Sequence, residues 1–373
     1  MDFTFTEAQN DLAGLTRGIV NELVTNDRLR ELDAAQDRTD RTLWAALASS
    51  GVLSAALPES VGGDGFGVLE QCSILVELGR AVAPVPYLTS IVSSAAAIAE
   101  FGDDTQRADW AAPAARGEKI LTAALSEEWG DNPALPFTRA NRTETGWELT
   151  GTKIVVDSAP IADLFLVPAS TDDGVVVFLV QPGDVGVSVT RQSIVDFGSA
   201  GQVDLDAVQL PDDRVLGSVA RGSEISEWIV ERARLGSSAY QYGVLDQALK
   251  LTAEYARERV QFGRPIGSFQ AVAQRLADGY IDVKGVRLTL WAAAWQLSES
   301  LPASESVKTA KFWAADAGHR VAHTAVHVHG GVGLDEDHPI HRYFLAAKRH
   351  EFLLGNTTDL LRSLGKELAD EPA

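Results

Sequence analysis

The chain has little cysteine, few basic residues and no long apolar run. One cysteine, Cys72, stands among 373 residues, which excludes an intramolecular disulfide framework and makes a reducing cytoplasm the expected compartment. Cys72 lies in an apolar stretch, where packing rather than reactivity is its expected role. Lysine and arginine number 32 against 52 aspartates and glutamates, a formal net charge of −20. That balance argues against nucleic acid and against an anionic membrane surface as partners. It requires that any phosphate-bearing ligand be met by few, carefully placed cations. No stretch is long and apolar enough to span a bilayer. The start, Met1-Asp2-Phe3-Thr4, has no basic region followed by an apolar core, so no signal peptide is expected. Internal repeats and low-complexity tracts are also absent. What remains is the composition of a soluble globular chain of one to three domains with ample core.

Along the chain the period of the apolar residues changes twice. Thr6 to Val24, Arg41 to Ala48, Leu69 to Leu78 and Leu88 to Phe101 carry helical spacing. From Lys119 to about Gly217 the period is two. Strands are expected at Ile120 to Leu125, Gly146 to Leu149, Lys153 to Val156, Leu164 to Pro168, Val175 to Gln181, Val187 to Val189 and Gln202 to Leu210. So many short strands suggest a small barrel or sandwich. After about Ser223 long helices return, through to Leu368. The expected division is a helical domain over 1–117, a β-domain over 118–218 and a helical domain over 219–373: a mainly α chain with a middle β-domain.

Two helical patterns, Glu227 to Arg257 and Phe269 to Leu297, flank Arg259-Val260-Gln261-Phe262-Gly263-Arg264-Pro265-Ile266-Gly267-Ser268-Phe269-Gln270. Gly263, Pro265 and Gly267 end one helix and start the next, with Ser268 the expected N-cap. The joint projects an arginine, an amide and an aromatic ring from the corner of a helical hairpin. The planar fork of Arg259 suits a phosphate; a surface carboxylate would suit it as well.

All seven histidines lie between His319 and His350. His319, His323 and His327 share one helix face, and such a stripe can hold zinc. No glutamate sits between the pair as in H-E-x-x-H, however, and no cysteine is near. A polar stripe at a helix or subunit contact is expected, and no metal site is assigned. The glycines from Gly62 to Gly67 follow a turn, Leu57-Pro58-Glu59, so they are expected to form a turn between helices rather than a dinucleotide fingerprint. Asp278 and Asp282, one turn apart, are expected in a solvated or interface charge network.

Three segments carry a resemblance to a known family. They are Pro58-Glu59-Ser60-Val61-Gly62-Gly63-Asp64-Gly65-Phe66-Gly67, the R-x-Q-F-G-x-P-I-x-x-F-Q run at 259–270, and His329-Gly330-Gly331-Val332-Gly333-Leu334. Taken in this order they make nearly the whole chain similar to the acyl-CoA dehydrogenase family of flavoproteins. The resemblance implies a helical N-domain, a small β-barrel and a C-terminal four-helix bundle. It also implies α,β-dehydrogenation of an acyl-CoA thioester. A carboxylate removes the α-proton, the β-hydrogen leaves as hydride to FAD, and hydrogen bonds to the thioester carbonyl stabilise the enolate.

In that family the flavin lies across a subunit boundary. One subunit's middle domain faces the ring, and the neighbour brings the R-x-Q-F-G corner and the Gly-Gly segment to the pyrophosphate and adenosine. Carried over, this assigns Arg259, Gln261, Phe262, Phe269, Gln270, His327, His329, Gly330 and Gly331 to cofactor binding, with His327 where a glutamine is usual.

The departures are selective. The family's glutamate base falls at Leu354, in Phe352-Leu353-Leu354-Gly355-Asn356-Thr357. Its alternative place, before an arginine matching Arg234, holds Ala233. Glu231 points about 160° away from Ala233 around the helix, and Glu351 is three positions off Leu354, so no catalytic residue is assigned. The Thr-Glu-Pro-x-x-Gly-Ser-Asp run reads Ser126-Glu127-Glu128-Trp129-Gly130-Asp131-Asn132-Pro133. The Trp-Ile-Thr segment over the ring reads Val155-Val156-Asp157, and a carboxylate there is unfavourable beside a reduced flavin.

The resemblance therefore points to the β-type subunit of heteromeric bacterial acyl-CoA dehydrogenases acting on steroid side-chain CoA thioesters. Such a subunit shares FAD with a homologous α-type partner in an α2β2 assembly. The partner supplies the glutamate and most of the acyl pocket, an electron-transfer flavoprotein accepts the electrons, and the isolated chain is inactive. Two alternatives stand beside it: a homomeric dehydrogenase using Glu351 or Glu231, and a structural subunit with no flavin role. Arg234 is open between a place near the substrate entrance and a structural ion pair.

Overall fold

A computed structural model describes residues 4–370 apart from Gln36, Asp131 and Phe197. Met1 to Phe3 of the start and Asp131 of the ring-facing run thus lie outside the described residues. The chain forms two compact units, one of Met1–Arg30, Val68–Ala83 and Arg234–Ala373, the other of Glu31–Gly67 and Pro84–Ala233.

The second unit carries the strands. Gly146–Asp157 pairs antiparallel with Arg139–Thr143 on one side and Ala200–Leu210 on the other, and Val187–Gln192 extends the sheet beyond Ala200–Leu210. Leu164–Thr171 joins the Arg139–Thr143 edge in parallel and pairs with both Leu121–Ala123 and Gly174–Val180. Seven strands result. Alternate residues point inward, so Trp147, Leu149, Phe165, Val167, Phe178 and Val203 fill one core. Trp147 meets Phe178 edge to face at 5.5 Å. Full burial of a side chain the size of Phe178 is worth about 1.5–3 kcal/mol. The helix Arg41–Ser49 in this unit starts at Asp40, whose carboxylate accepts from Thr42 N and Leu43 N at 3.0 and 3.1 Å, satisfying donors that a helix start leaves open. The glycine loop is a turn, as its context suggests. A Cβ on Gly63 would sit 2.0 Å from the Leu57 carbonyl oxygen.

The first unit is helical. Glu7–Leu23 begins with a reciprocal box in which Gln9 N donates to Thr6 Oγ1 at 3.1 Å and Thr6 N to Gln9 Oε1 at 2.8 Å. The long helix Gly222–Glu258, most of which lies in this unit, runs unbroken through Gly236 and Gly243. A Cβ on Gly243 would fall 2.1 Å from the Val76 carbonyl oxygen, and one on Gly79 2.1 Å from that of Tyr240. These two glycines let the backbones of Val68–Arg80 and Gly222–Glu258 touch. Gln270–Ser298 and Ser304–His329 are clamped by Arg320, whose Nε and Nη2 reach the Asp282 carboxylate at 2.8 and 2.7 Å. Asp282 is buried in this pair while Asp278 is exposed. Ile340–Phe352 and Thr357–Asp370 complete the unit. Cys72 is buried, its expected packing role, and burial pushes its thiol far up. Among the described residues no helix is long and apolar enough to cross a membrane.

Several local expectations are corrected. Ser268 does not cap the following helix: its Oγ donates to the Pro265 carbonyl at 2.7 Å, and Gln270–Ser298 starts after Phe269 without a side-chain cap. The two strands expected at 146–149 and 153–156 are one, bent by irregularities at 149/151 and 153/156. Arg139–Thr143 is an unforeseen strand because only Ala140 is buried in Arg-Ala-Asn-Arg-Thr. Asn26–Asp33 and the helical stretch at 104–115 also lack a long apolar stripe.

Candidate functional site: an exposed hairpin and an open glycine segment

The 259–270 joint is a tight β-hairpin. Val260 pairs with Pro265 and Gln261 with Arg264, and its neck is closed by Ile266 N donating to the Arg259 carbonyl at 2.8 Å. Phe262 and Gly263 form the turn at φ +53° and +78°. Two left-handed residues match the twist of a two-residue hairpin. Glycine adopts that conformation freely, whereas phenylalanine does so at a cost. The Phe262 side chain is nonetheless 92% exposed. Its nearest ring is Phe269, edge-on at 6.1 Å, over which the Arg264 guanidinium lies at 4.2 Å. Arg259, Gln261 and Gln270 are exposed, and Arg259 has no ion-pair partner among the described residues.

The second segment meets the root of this hairpin. Arg259 N donates to the Tyr255 carbonyl at 2.8 Å, and the Tyr255 ring stacks on His329 at 4.3 Å. His329 is buried, with its Nδ1 2.8 Å from the Ala325 carbonyl oxygen. Burial, chiefly, holds its imidazole below the usual pKa. His327 is exposed. Gly330 has φ +63°, and a Cβ on Gly330 or Gly331 would meet nothing within 4 Å. A Cβ on Gly333, by contrast, would meet Val326 O at 2.8 Å. The chain itself thus explains the glycine at 333 but leaves open space over 331. The structure brings Arg259, Gln261, Phe262, Gly330 and Gly331 to one end of the helical unit through the Tyr255–His329 stack.

The two positions where the family keeps a base are apolar and buried: Ala233 is 3% exposed and Leu354 9%. Leu354 is held at φ +61°, and its carbonyl accepts from Arg234 Nε at 3.0 Å. Arg234 thus grips the main chain at Leu354, the position of the family's base. Glu351 is engaged by Lys348 at 2.6 Å and faces His319 at 3.2 Å. Beneath lies a polar cluster that sequence reasoning missed. Lys311 Nζ donates to the His350 carbonyl at 2.8 Å. His350 Nδ1 is 3.0 Å from Ser237 Oγ, and its ring stacks on Tyr240 at 4.7 Å. Burial, and then the Arg234 charge, push the Lys311 ammonium down to about 7, and burial holds His350 well below its usual value. A signal for Lys311 existed: Val307, Ala310, Lys311 and Ala314 share the apolar face of their helix. The histidine stripe turns elsewhere, with His319 and His323 4.5 Å apart and His323 edge-on to Phe344 at 5.3 Å. Among the described residues no group of three or more His, Cys, Asp or Glu could hold a metal ion.

In the strand-bearing unit, the run matched to the ring-facing segments is tied up internally. Glu127 accepts from Lys153 Nζ at 2.8 Å, from Thr138 N at 2.8 Å and from Phe137 N. Lys153 also reaches the Pro168 carbonyl at 2.9 Å and is fully buried. Burial alone would raise the Glu127 carboxyl, but Lys153 and the hydrogen bonds outweigh it and hold it below the usual range. Burial brings Lys153 down to about 8 against the opposing pull of Glu127. Val155 stands at φ +51°, its N–H already given to Gln192 Oε1 at 2.6 Å.

Comparison with known proteins agrees with this layout. Models of the N-terminal, middle and C-terminal domains of acyl-CoA dehydrogenase match residues 6–118, 122–207 and 220–369. The acyl-CoA dehydrogenase FadE27 of Mycobacterium tuberculosis is 52% identical, with the whole of both chains covered. A chain of the ChsE4-ChsE5 complex from Mycobacterium tuberculosis superposes with a TM-score of 0.96 at 53% identity, each chain covered in full. A chain of a Tcur3481-Tcur3483 steroid ACAD variant does so with a TM-score of 0.92 at 41% identity, 98% of each chain covered. The chain belongs to the acyl-CoA dehydrogenase family, flavoproteins that oxidise a CH–CH bond of an acyl-CoA and carry FAD.

Proposed function

We propose that this chain is the β-type subunit of a heteromeric acyl-CoA dehydrogenase, probed best as an α2β2 assembly with a homologous α-type chain. In this reading it grips the nucleotide end of FAD while the partner supplies the glutamate, the ring pocket and most of the acyl pocket. One observation carries the reading. Both base positions are filled by buried apolar side chains, Leu354 and Ala233, while the hairpin and glycine segment are presented to the outside. The residues fit the cofactor's tail. Arg259 offers an unengaged fork for a phosphate, and the backbone at Gly330 and Gly331 is open to close approach. The ring side fits poorly, because the Val155 N–H is spent on Gln192 and Asp157 would place a carboxylate near the reduced ring.

Bound flavin would accept the hydride. This chain's own part is to orient the dinucleotide with Arg259, Gln261, Phe262, Phe269 and Gln270, and with the segment from His327 through His329, Gly330 and Gly331. The steroid side-chain CoA substrate is supported by the relatives that are steroid ACADs or components of a two-protein complex. An electron-transfer flavoprotein as acceptor, a cytoplasmic location and the three-domain division at 117/118 and 218/219 belong to the same reading.

The test is expression of the chain alone and together with α-type candidates, measuring flavin per pair of chains and acyl-CoA oxidation. The lone chain is expected to be colourless and inactive, and the pair yellow and active. Arg259→Ala is expected to leave the pair assembled with much of its flavin lost. A lone homo-oligomer with full activity overturns the proposal.

A further inference from the structure

In a chain of net charge −20, the hairpin corner is a cationic island. From Arg259 to Ala277 there are three arginines and no aspartate or glutamate. Two of the three, Arg259 and Arg264, stand on the hairpin itself. Arg264 is exposed and forms no ion pair among the described residues. Its guanidinium lies 4.2 Å from the centre of the Phe269 ring, which meets Phe262 edge-on at 6.1 Å. A stack of this kind occupies the flat face of the guanidinium and leaves the N–H donors around its edge free. It also restrains a long side chain, so less freedom is lost when those donors engage a ligand. The register places both arginines on one face. Gln261 lies opposite Arg264 and Val260 opposite Pro265, and Ile266 N donates to the Arg259 carbonyl at 2.8 Å. Residues two apart on a strand point to the same side, as do residues directly opposite. Arg259, Gln261 and Arg264 therefore share a face of the ribbon. Arg259 and Arg264 are diagonal neighbours on it, about 7–8 Å apart at the backbone, a span that two long side chains can close.

We propose that Arg264 is a second phosphate-binding residue of the hairpin, so that the corner takes a pyrophosphate rather than a single phosphate. This rests on the reading that the hairpin holds the nucleotide end of FAD, whose two phosphates are linked and each carry a negative charge. One fork alone would leave one of those charges unmet, in a chain whose overall field repels anions. Two forks on one face match the pair in charge and in donor geometry. Phe269 then has a definite part: its ring is the platform that holds Arg264 in place for the ligand.

The experiment uses the assembled pair freed of flavin and follows, by fluorescence, titration with FAD and with riboflavin, which carries the ring but no phosphate. Arg264→Met removes the charge and keeps a long side chain at an exposed position, so the variant should keep the parent circular dichroism. It is expected to weaken FAD about tenfold or more, the loss of one charge-assisted contact, and to leave riboflavin as in the parent. Arg264→Lys keeps a charge without the flat fork and should recover part of the loss. The gap between parent and Arg264→Met should narrow at high salt, because the missing contact is ionic. Undiminished FAD affinity in Arg264→Met, an equal loss of riboflavin, no recovery in Arg264→Lys, or a gap indifferent to salt overturns the assignment. Arg259→Ala distinguishes this failure from that of the reading beneath it. If Arg259→Ala loses FAD and Arg264→Met does not, only the second fork falls; if neither loses FAD, the hairpin has no flavin role.

Discussion

Lys311 is a buried amine whose Nζ donates to one carbonyl and whose neighbours include Arg234. Its folded pKa, about 7, lies below the 10.5 of a free lysine. Between these values the unfolded chain holds the proton and the folded chain releases it, so stability rises with pH through this window. The full cost of burying the charge is felt below about pH 7. Lys311→Met removes that cost and leaves the His350 carbonyl without its donor. The variant should therefore outlast the parent in urea at pH 6, and its advantage should shrink by about 1.4 kcal/mol per pH unit between pH 7 and 9. A pH-independent difference would show that the amine is not titrating there.

Glu127 and Lys153 behave differently, because each compensates the other. Glu127→Gln leaves the buried Lys153 ammonium unpaired and should destabilise the chain by about 3–5 kcal/mol in chemical denaturation. Adding Lys153→Met should recover most of the loss. Neither cluster was read from the sequence, since the partners of each pair are 26 and 39 positions apart and nothing local joins them. Leu354 and Ala233, by contrast, were legible at once, because an absent carboxylate at a motif position needs no geometry to be seen.

At the scale of the element, the hairpin holds a phenylalanine where asparagine or glycine would sit more easily. Phe262→Asn should therefore stabilise the isolated chain, by up to about 1 kcal/mol, while lowering the flavin retained by the assembled pair. Thermal melts of the chain and flavin-to-protein ratios of the pair measure the two effects separately. A drop in the first with no change in the second would mean that the ring serves only its own loop. The helix pair at Gly79 and Gly243 gives a simpler expectation. Gly243→Ala drives a methyl group into the Val76 carbonyl and should cost about 1–3 kcal/mol, as overpacking does, measurable by urea unfolding. From sequence, Gly243 is only a weak point in a helix. Its role depends on a backbone more than 160 residues earlier, Val76, which periodicity cannot reach. Arg139–Thr143 was missed for a related reason: a strand with one buried side chain carries no alternation, and its pairing with Gly146–Asp157 makes it. The joint at 259–270 was readable as a break between two helices, because Gly263, Pro265 and Gly267 interrupt the helical patterns on either side; the β-pairing of Val260 with Pro265 inside it was not.

Over the whole molecule, the order of helical, strand-rich and helical stretches was legible because the apolar period itself changes, from helical spacing to alternation and back. The family followed from three short motifs. What composition and periodicity do not reveal is whether a companion chain covers any of this surface, since a surface made to be covered looks in sequence like any other.

The left-handed turn at Phe262 and Gly263 carries the ring at its tip, where 92% of it stays exposed on this chain. Under the proposed subunit role that area serves the shared dinucleotide, outside the chain that carries it. Subunits exchanged between related assemblies that differ at this residue are then expected to differ first in how much flavin they hold.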